Sequence, residues 1–164
     1  MTDKVGRTSM ETHMKSIAMT LAALALAGAA HGEGKDVFGT WLTPSGSAKL
    51  EISDCGDGTP CGRVVWMDPA AMRPGLTPED ATDENNPDPE LRTRPVLGLL
   101  MLSDFEERRR DWRGGTIYDP EAGRSYGSRL KKRDDGTLEV KGCIGPICQT
   151  QVWTPTTLEA ASVE

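Results

Sequence analysis

Histidine is nearly missing from this chain of 164 residues: its two copies, His13 and His31, both fall within the first 32 positions. The rest of the sequence therefore has no imidazole, the commonest general base in enzymes. Ser-His-Asp and Cys-His arrangements are excluded there, as is any zinc site that needs histidine. Aromatic residues are also scarce, at 5%, so the position of each one carries weight. Basic side chains are outnumbered 19 to 25 by acids. Such a balance makes a poor partner for nucleic acid or anionic lipid, both of which are polyanions. No apolar run is long enough for a transmembrane helix, which needs about 20 residues.

The longest apolar stretch, Ile17 to Ala30, has 14 residues and no charge. It follows Met14-Lys15 and runs into Ala30-His31-Gly32, with small residues where signal peptidase reads. A basic start, a short apolar run and a small-residue exit describe a secretory signal peptide, residues 1–32. Residues 1–13 carry mixed charge and no pattern, and Met14 can serve as the start. Removing 32 residues from 164 leaves 132, with 16 basic and 23 acidic side chains and a net charge of −7. That length, residues 33–164, suits one domain with a single core. The expected location is periplasmic or secreted.

All four cysteines, Cys55, Cys61, Cys143 and Cys148, lie in that domain. An even count in an exported chain reads as two disulfides. Three connectivities are possible, and local pairing is favoured because Cys55/Cys61 and Cys143/Cys148 each bracket a Gly/Pro turn. Closing such short loops contributes roughly 2 kcal/mol apiece. The spacings do not suit a four-cysteine zinc site, and the sequence calls for no metal and no cofactor.

Short β-type runs separated by turn chemistry fill the remainder. Ala48-Lys49-Leu50-Glu51-Ile52 alternates cleanly between apolar and charged, as a half-buried strand requires. Leu138 and Val140 alternate likewise within Thr137–Lys141. Phe38–Thr43, Cys61–Met67, Asp111–Tyr118, Arg124–Lys132 and Gln149–Thr154 follow, with turns at Asp119–Gly123 and Asp134–Gly136, and the apolar Val96–Leu102 completes the set as a strand buried on both faces or a helix turn. Seven or eight strands at this spacing predict an all-β fold, an antiparallel up-and-down barrel of about eight strands. Asp68–Pro95 breaks the rhythm with six prolines and many acids. Loops of that length usually act as lids or linkers. Thr77-Pro78-Glu79-Asp80 has the cap, proline and acids of a helix start, predicting a short helix there. The tail from Thr156 to Glu164 reads as frayed.

Several motifs occur in a characteristic order: Gly39-Thr40-Trp41, Cys61-Gly62-Arg63-Val64-Val65-Trp66, Asn86-Pro87 and Trp112-Arg113-Gly114-Gly115-Thr116-Ile117-Tyr118-Asp119-Pro120. Gly123-Arg124-Ser125-Tyr126, Gly142-Cys143-Ile144-Gly145 and Gln151-Val152-Trp153 follow. Together they resemble the domain of unknown function family 2147, small exported bacterial proteins, across essentially the whole domain. The resemblance implies a lipocalin- or calycin-like barrel in the periplasm and supplies no activity or catalytic residues.

A barrel of about eight strands either packs solid or holds one small ligand. Trp41, Trp66, Trp112, Tyr118, Tyr126 and Trp153 all fall on expected strands, where they line a pocket or fill the core. Arg63, Arg92 and Arg94 lie nearest the apolar strands and the long loop. Arg92 is the candidate to meet a ligand carboxylate, since guanidinium binds that group as a fork. The loop acids Glu79, Asp80, Asp83, Glu84 and Asp88 offer carboxylate chemistry in principle, and Asp83, Asn85 and Asp88 offer hard oxygens for calcium. No Asp-x-Asp-x-Asp-Gly pattern accompanies them. Gly114-Gly115 lacks a phosphate-loop context and reads as a bulge. Arg108-Arg109-Arg110 reads as a solvated strand end. The expected protein is not an enzyme: it binds a small hydrophobic or amphipathic molecule. The alternative is an envelope interaction module with a solid core, and carboxylate catalysis ranks third.

Overall fold

The computed structural model describes residues 35–158. The signal segment read at residues 1–32 and the end of the tail lie outside the described residues. Among the described residues nine strands follow one another: β1 Gly39–Leu42, β2 Ala48–Asp54, β3 Pro60–Met67, β4 Leu100–Ser103, β5 Glu106–Glu107, β6 Trp112–Asp119, β7 Arg124–Lys132, β8 Leu138–Ile144 and β9 Ile147–Thr156. Every pairing is antiparallel. The order β4-β3-β2-β1-β9-β8-β7-β6 closes on itself because β4 also pairs with β6. Eight strands thus form a closed up-and-down barrel, and β5 continues β4 along the lower part of β6, with Glu106 opposite Arg113.

The alternation read from sequence appears in the burial. Leu50 and Ile52 on β2, and Leu138 and Val140 on β8, are at most 1% exposed. Both disulfides are local, Cys55–Cys61 in the β2–β3 hairpin and Cys143–Cys148 in the β8–β9 hairpin. Within the latter, Gly145 takes φ 55° at the first of two loop positions, the left-handed conformation that primed hairpin turns require.

One end of the barrel is sealed. Trp41, Trp112 and Trp153 are buried with Val37, Leu130 and Leu138. The Trp41 indole N–H donates to the Val37 carbonyl and the Trp112 indole N–H to the Lys35 carbonyl, both at 2.8 Å. The segment before β1 is thereby drawn across the barrel floor. Lys132 lies 4.4 Å over the Trp41 ring, a cation–π contact worth about 0.5–1 kcal/mol where partly exposed.

The expected helix at residues 77–80 is instead a single 3-10 turn, Pro78–Asp80; similar turns form at Pro69–Ala71 and Pro89–Leu91. The start signals are real, because Asp80 accepts from the Thr77 backbone N–H and hydroxyl. The chain then turns extended at Ala81, and Thr82 bridges to Pro95. A helix has no room to propagate between those two anchors.

At the β4–β6 closure Asp104 takes a positive φ of 62°, and Phe105 turns into the core at 2% exposure. A Cβ added at Gly115 would overlap the Phe105 ring. Gly115→Ala is therefore expected to destabilise the barrel by about 1–3 kcal/mol, as overpacking does. Gly115→Ala combined with Phe105→Leu should recover part of that loss in urea unfolding. A single variant as stable as the parent would show that the ring can shift freely.

Candidate functional site

Register assigns each aromatic to a face. Trp112, Gly115 and Ile117 on β6 pair with Leu130, Ser128 and Tyr126 on β7, and that set faces the interior with the buried Leu130. Of the six aromatics suggested by the sequence, Trp41, Trp112 and Trp153 form the sealed floor. Tyr126 stands on the inner wall nearer the opposite end. That end carries the β1–β2, β6–β7 and β8–β9 turns and the long β3–β4 connection.

Two aromatics lie on the outside. A register shift between Lys49 and Leu50 places Trp66 opposite Lys49 rather than in step with Val64. Its ring takes the Lys49 ammonium at 4.9 Å. Tyr118 pairs with Ser125, on the face opposite Ile117 and Tyr126, where the long loop covers it. The structure thus brings Tyr126 and the floor tryptophans to the interior and leaves Trp66 and Tyr118 on the exterior. Arg92 belongs to the loop, where its Nε donates to the Asn86 carbonyl at 2.7 Å.

The inner wall above the floor is made of smaller and more polar groups. Gly115, Ser128 and Gly142 sit side by side across β6, β7 and β8. Ser128 is 6% exposed, and its hydroxyl has no hydrogen-bond partner among the described residues. A buried orphan hydroxyl is destabilising, by about 1–3 kcal/mol. Farther out, Ile144 and Ile147 form the lip of the mouth at 51% and 78% exposure, on the same strand face as Gly142. Sequence patterning gave no reason to single out Ser128; its isolation follows from the glycines that flank it on both neighbouring strands.

The long loop is clasped to the barrel by one carboxylate. Asp83 is fully buried. It accepts from the Tyr118 hydroxyl at 2.7 Å, the Asn86 amide at 2.7 Å and Arg94 Nε at 2.8 Å, with Arg94 Nη2 also at 2.7 Å. Arg94 lies 5.3 Å over the Tyr118 ring. Burial is the largest single influence on the Asp83 carboxyl and pushes it up, but the hydrogen bonds from Tyr118, Asn86 and Arg94 together hold it below the usual range. Burial and the Asp83 charge push the Tyr118 phenol up. Asn85 anchors the same loop to the β6–β7 turn, donating to the Glu121 carbonyl at 3.0 Å. Gly123 at φ 59° leaves room for the Asn85 carbonyl, which a Cβ there would overlap. With its oxygens saturated by three donors, Asp83 is a fastening rather than a reactive group. Among the described residues no group of three or more His, Cys, Asp or Glu side chains converges to hold a metal ion.

A family model for an uncharacterized protein conserved in bacteria (DUF2147) matches residues 39–155. Among solved structures the chain is similar to protein HP1028 from the human pathogen Helicobacter pylori, which belongs to the lipocalin family. The TM-score is 0.62 at 22% identity, over 75% of this chain and 84% of that one. At that identity the likeness concerns the fold. No curated protein matches this chain.

Asp83→Ala is expected to lower stability by about 3 kcal/mol, because it strands Arg94 and two further donors. The folded carboxyl titrates below its unfolded value of about 4, so its contribution is complete above that pH and fades as pH falls through the folded value. Urea midpoints followed from neutral into acid pH should therefore drop more steeply for the parent than for Asp83→Asn. Parallel curves would remove Asp83 as the source of acid sensitivity.

Proposed function

Since the chain belongs to the DUF2147 family of bacterial proteins and folds as a lipocalin-like barrel, we propose that it is an exported carrier holding a small amphipathic molecule inside the barrel. It acts by binding and not by turnover. The observation that carries this reading is the buried, unpartnered Ser128 hydroxyl on the inner wall. A hydroxyl desolvated without a partner is disfavoured unless something else supplies the hydrogen bond, and the polar end of an amphipathic guest would do so. The indole-sealed floor and the exposed isoleucine lip suit a site that opens at one end only. Two disulfides and the apolar run Ile17–Ala30 support delivery to an oxidising compartment outside the cytoplasm.

The saturated Asp83 clasp argues against catalysis by the loop carboxylates. The floor tryptophans, read from the sequence as possible pocket lining, serve here as reporters at the base of the chamber. Arg92 is committed to the loop backbone and takes no part in the binding.

Titrating the mature protein with a medium-chain fatty acid should change tryptophan emission saturably, with one molecule bound per chain. Ser128→Ala should weaken that binding by roughly fivefold, the loss of about 1 kcal/mol for one hydrogen bond. The same variant should leave thermal stability equal or higher, since it deletes an orphan polar group. A flat titration across a chemically broad panel would instead favour an envelope interaction module with a solid core.

A further inference from the structure

The outer wall carries a feature separate from the interior. A groove of about 360 Å³ runs over β6, β7 and β8, with Gly114, Gly115, Gly127 and the backbone at Ser128 along its floor. The Cys143–Cys148 disulfide forms one wall, and Arg113, Arg129 and Lys141 rim it. Gly127 lies directly opposite Cys143, and Arg129 opposite Lys141, so the three cations and the disulfide share the exterior face. The glycine floor is what makes the depression, because a side chain at Gly127 would project into it.

One buried carboxylate sets the two guanidiniums. Asp111 is 3% exposed. Arg113 Nε donates to both of its oxygens, at 3.0 and 2.9 Å. Arg129 Nε stands 2.7 Å from Asp111 Oδ2 as an ion pair. Both contacts use the Nε edge, and among the described residues the terminal nitrogens of Arg113 and Arg129 make no hydrogen bond or ion pair. Among them Lys141 likewise makes no side-chain hydrogen bond or ion pair. Of the other acids on this face, Glu106 faces Arg113 across the β5–β6 pair and takes the Arg108 guanidinium at 2.5 Å, and Glu139 faces Lys131 across the β7–β8 pair. Three cations rim the groove, and the one carboxylate that Arg113 and Arg129 share leaves an excess of two positive charges there, in a chain whose net charge is −6.

We propose that this groove binds a phosphate monoester with a small apolar body. A dianion matches the excess of two charges, whereas a carboxylate would leave one cation uncompensated. Guanidinium forks oriented in advance bind phosphate oxygens as paired, charge-assisted hydrogen bonds. Asp111 orients Arg113 through two hydrogen bonds and holds Arg129 beside it by ion pairing, and it is too enclosed to meet the ligand itself. The glycine and disulfide surface accepts the apolar part.

The test uses the disulfide-intact mature protein with two probes. Hexyl phosphate in solution reads binding of a free ligand by calorimetry, and phosphatidic acid in phosphatidylcholine vesicles reads binding of a lipid headgroup by co-sedimentation. Saturable binding is expected in at least one arm, weakened by salt and reduced tenfold or more in Lys141→Glu. Lys141→Glu should keep the parent's near-ultraviolet circular dichroism and its fatty-acid titration, which separates this site from the interior. Arg113→Gln, which leaves Arg129 on Asp111, should weaken binding by a smaller factor. No saturable binding in either arm, or binding that Lys141→Glu leaves intact, would overturn the proposal.

Discussion

The barrel depends on one narrow seam. β4 meets β6 through only two residue pairs, Leu102 with Ile117 and Ser103 with Thr116, yet that contact turns a sheet with two edges into a cylinder with none. An open sheet would expose unpaired N–H and C=O groups along both β4 and β6, and the side chains now facing inward would lose their enclosure. So short a ladder needs help, and three features provide it at the same place. Phe105 turns into the core directly below the seam, over the space that Gly115 leaves vacant. β5 lengthens the pairing along β6. The clasp of Asp83, Arg94 and Tyr118 ties the segment leading into β4 to the outer face of β6. The long loop is thus not a free linker: it is fastened to the outer face of β6 by Asp83 and to the β6–β7 turn by Asn85.

The two ends of the cylinder differ for reasons visible in its side chains. At the floor, three indoles and the aliphatic residues around them fill the cross-section. Two indole N–H groups draw the entering chain across it by donating to the Lys35 and Val37 carbonyls. Above the floor the inner wall carries glycine and serine in the positions where neighbouring strands lie side by side, and the β8–β9 hairpin rises as an apolar lip. The carrier reading proposed above rests on this asymmetry and places its guest at the more polar level, approached from the mouth.

Much of the architecture was legible because hairpins are local. The alternation of Ala48–Ile52 and of Leu138 and Val140 fixed which faces are buried, and the Gly/Pro turns inside each cysteine pair anticipated both disulfides. What escaped was parity. A strand read by strict alternation would put Trp112, Thr116 and Tyr118 on one face. The bulge between Trp112 and Gly115, where Gly114 takes φ 71°, shifts the count by one, so that Trp112, Gly115 and Ile117 point inward and Tyr118 outward. The irregularity beside Lys49 does the same to Trp66. The sequence flagged Gly114-Gly115 as a bulge but not its effect on the residues downstream. Asp83 looked like one of many solvated loop acids, because nothing local marks its partner 35 residues away.

The ladder between β1 and β9 joins Thr40 to Thr156, so the first strand of the described chain waits for the last. Each hairpin can form from neighbouring sequence as it emerges, but circumferential closure brings together segments separated by nearly the whole domain, and such pairings are slow to find. A chain delivered across a membrane from its N-terminus would consequently remain an open meander until its final strand arrived, with its lasting enclosure postponed to the far side.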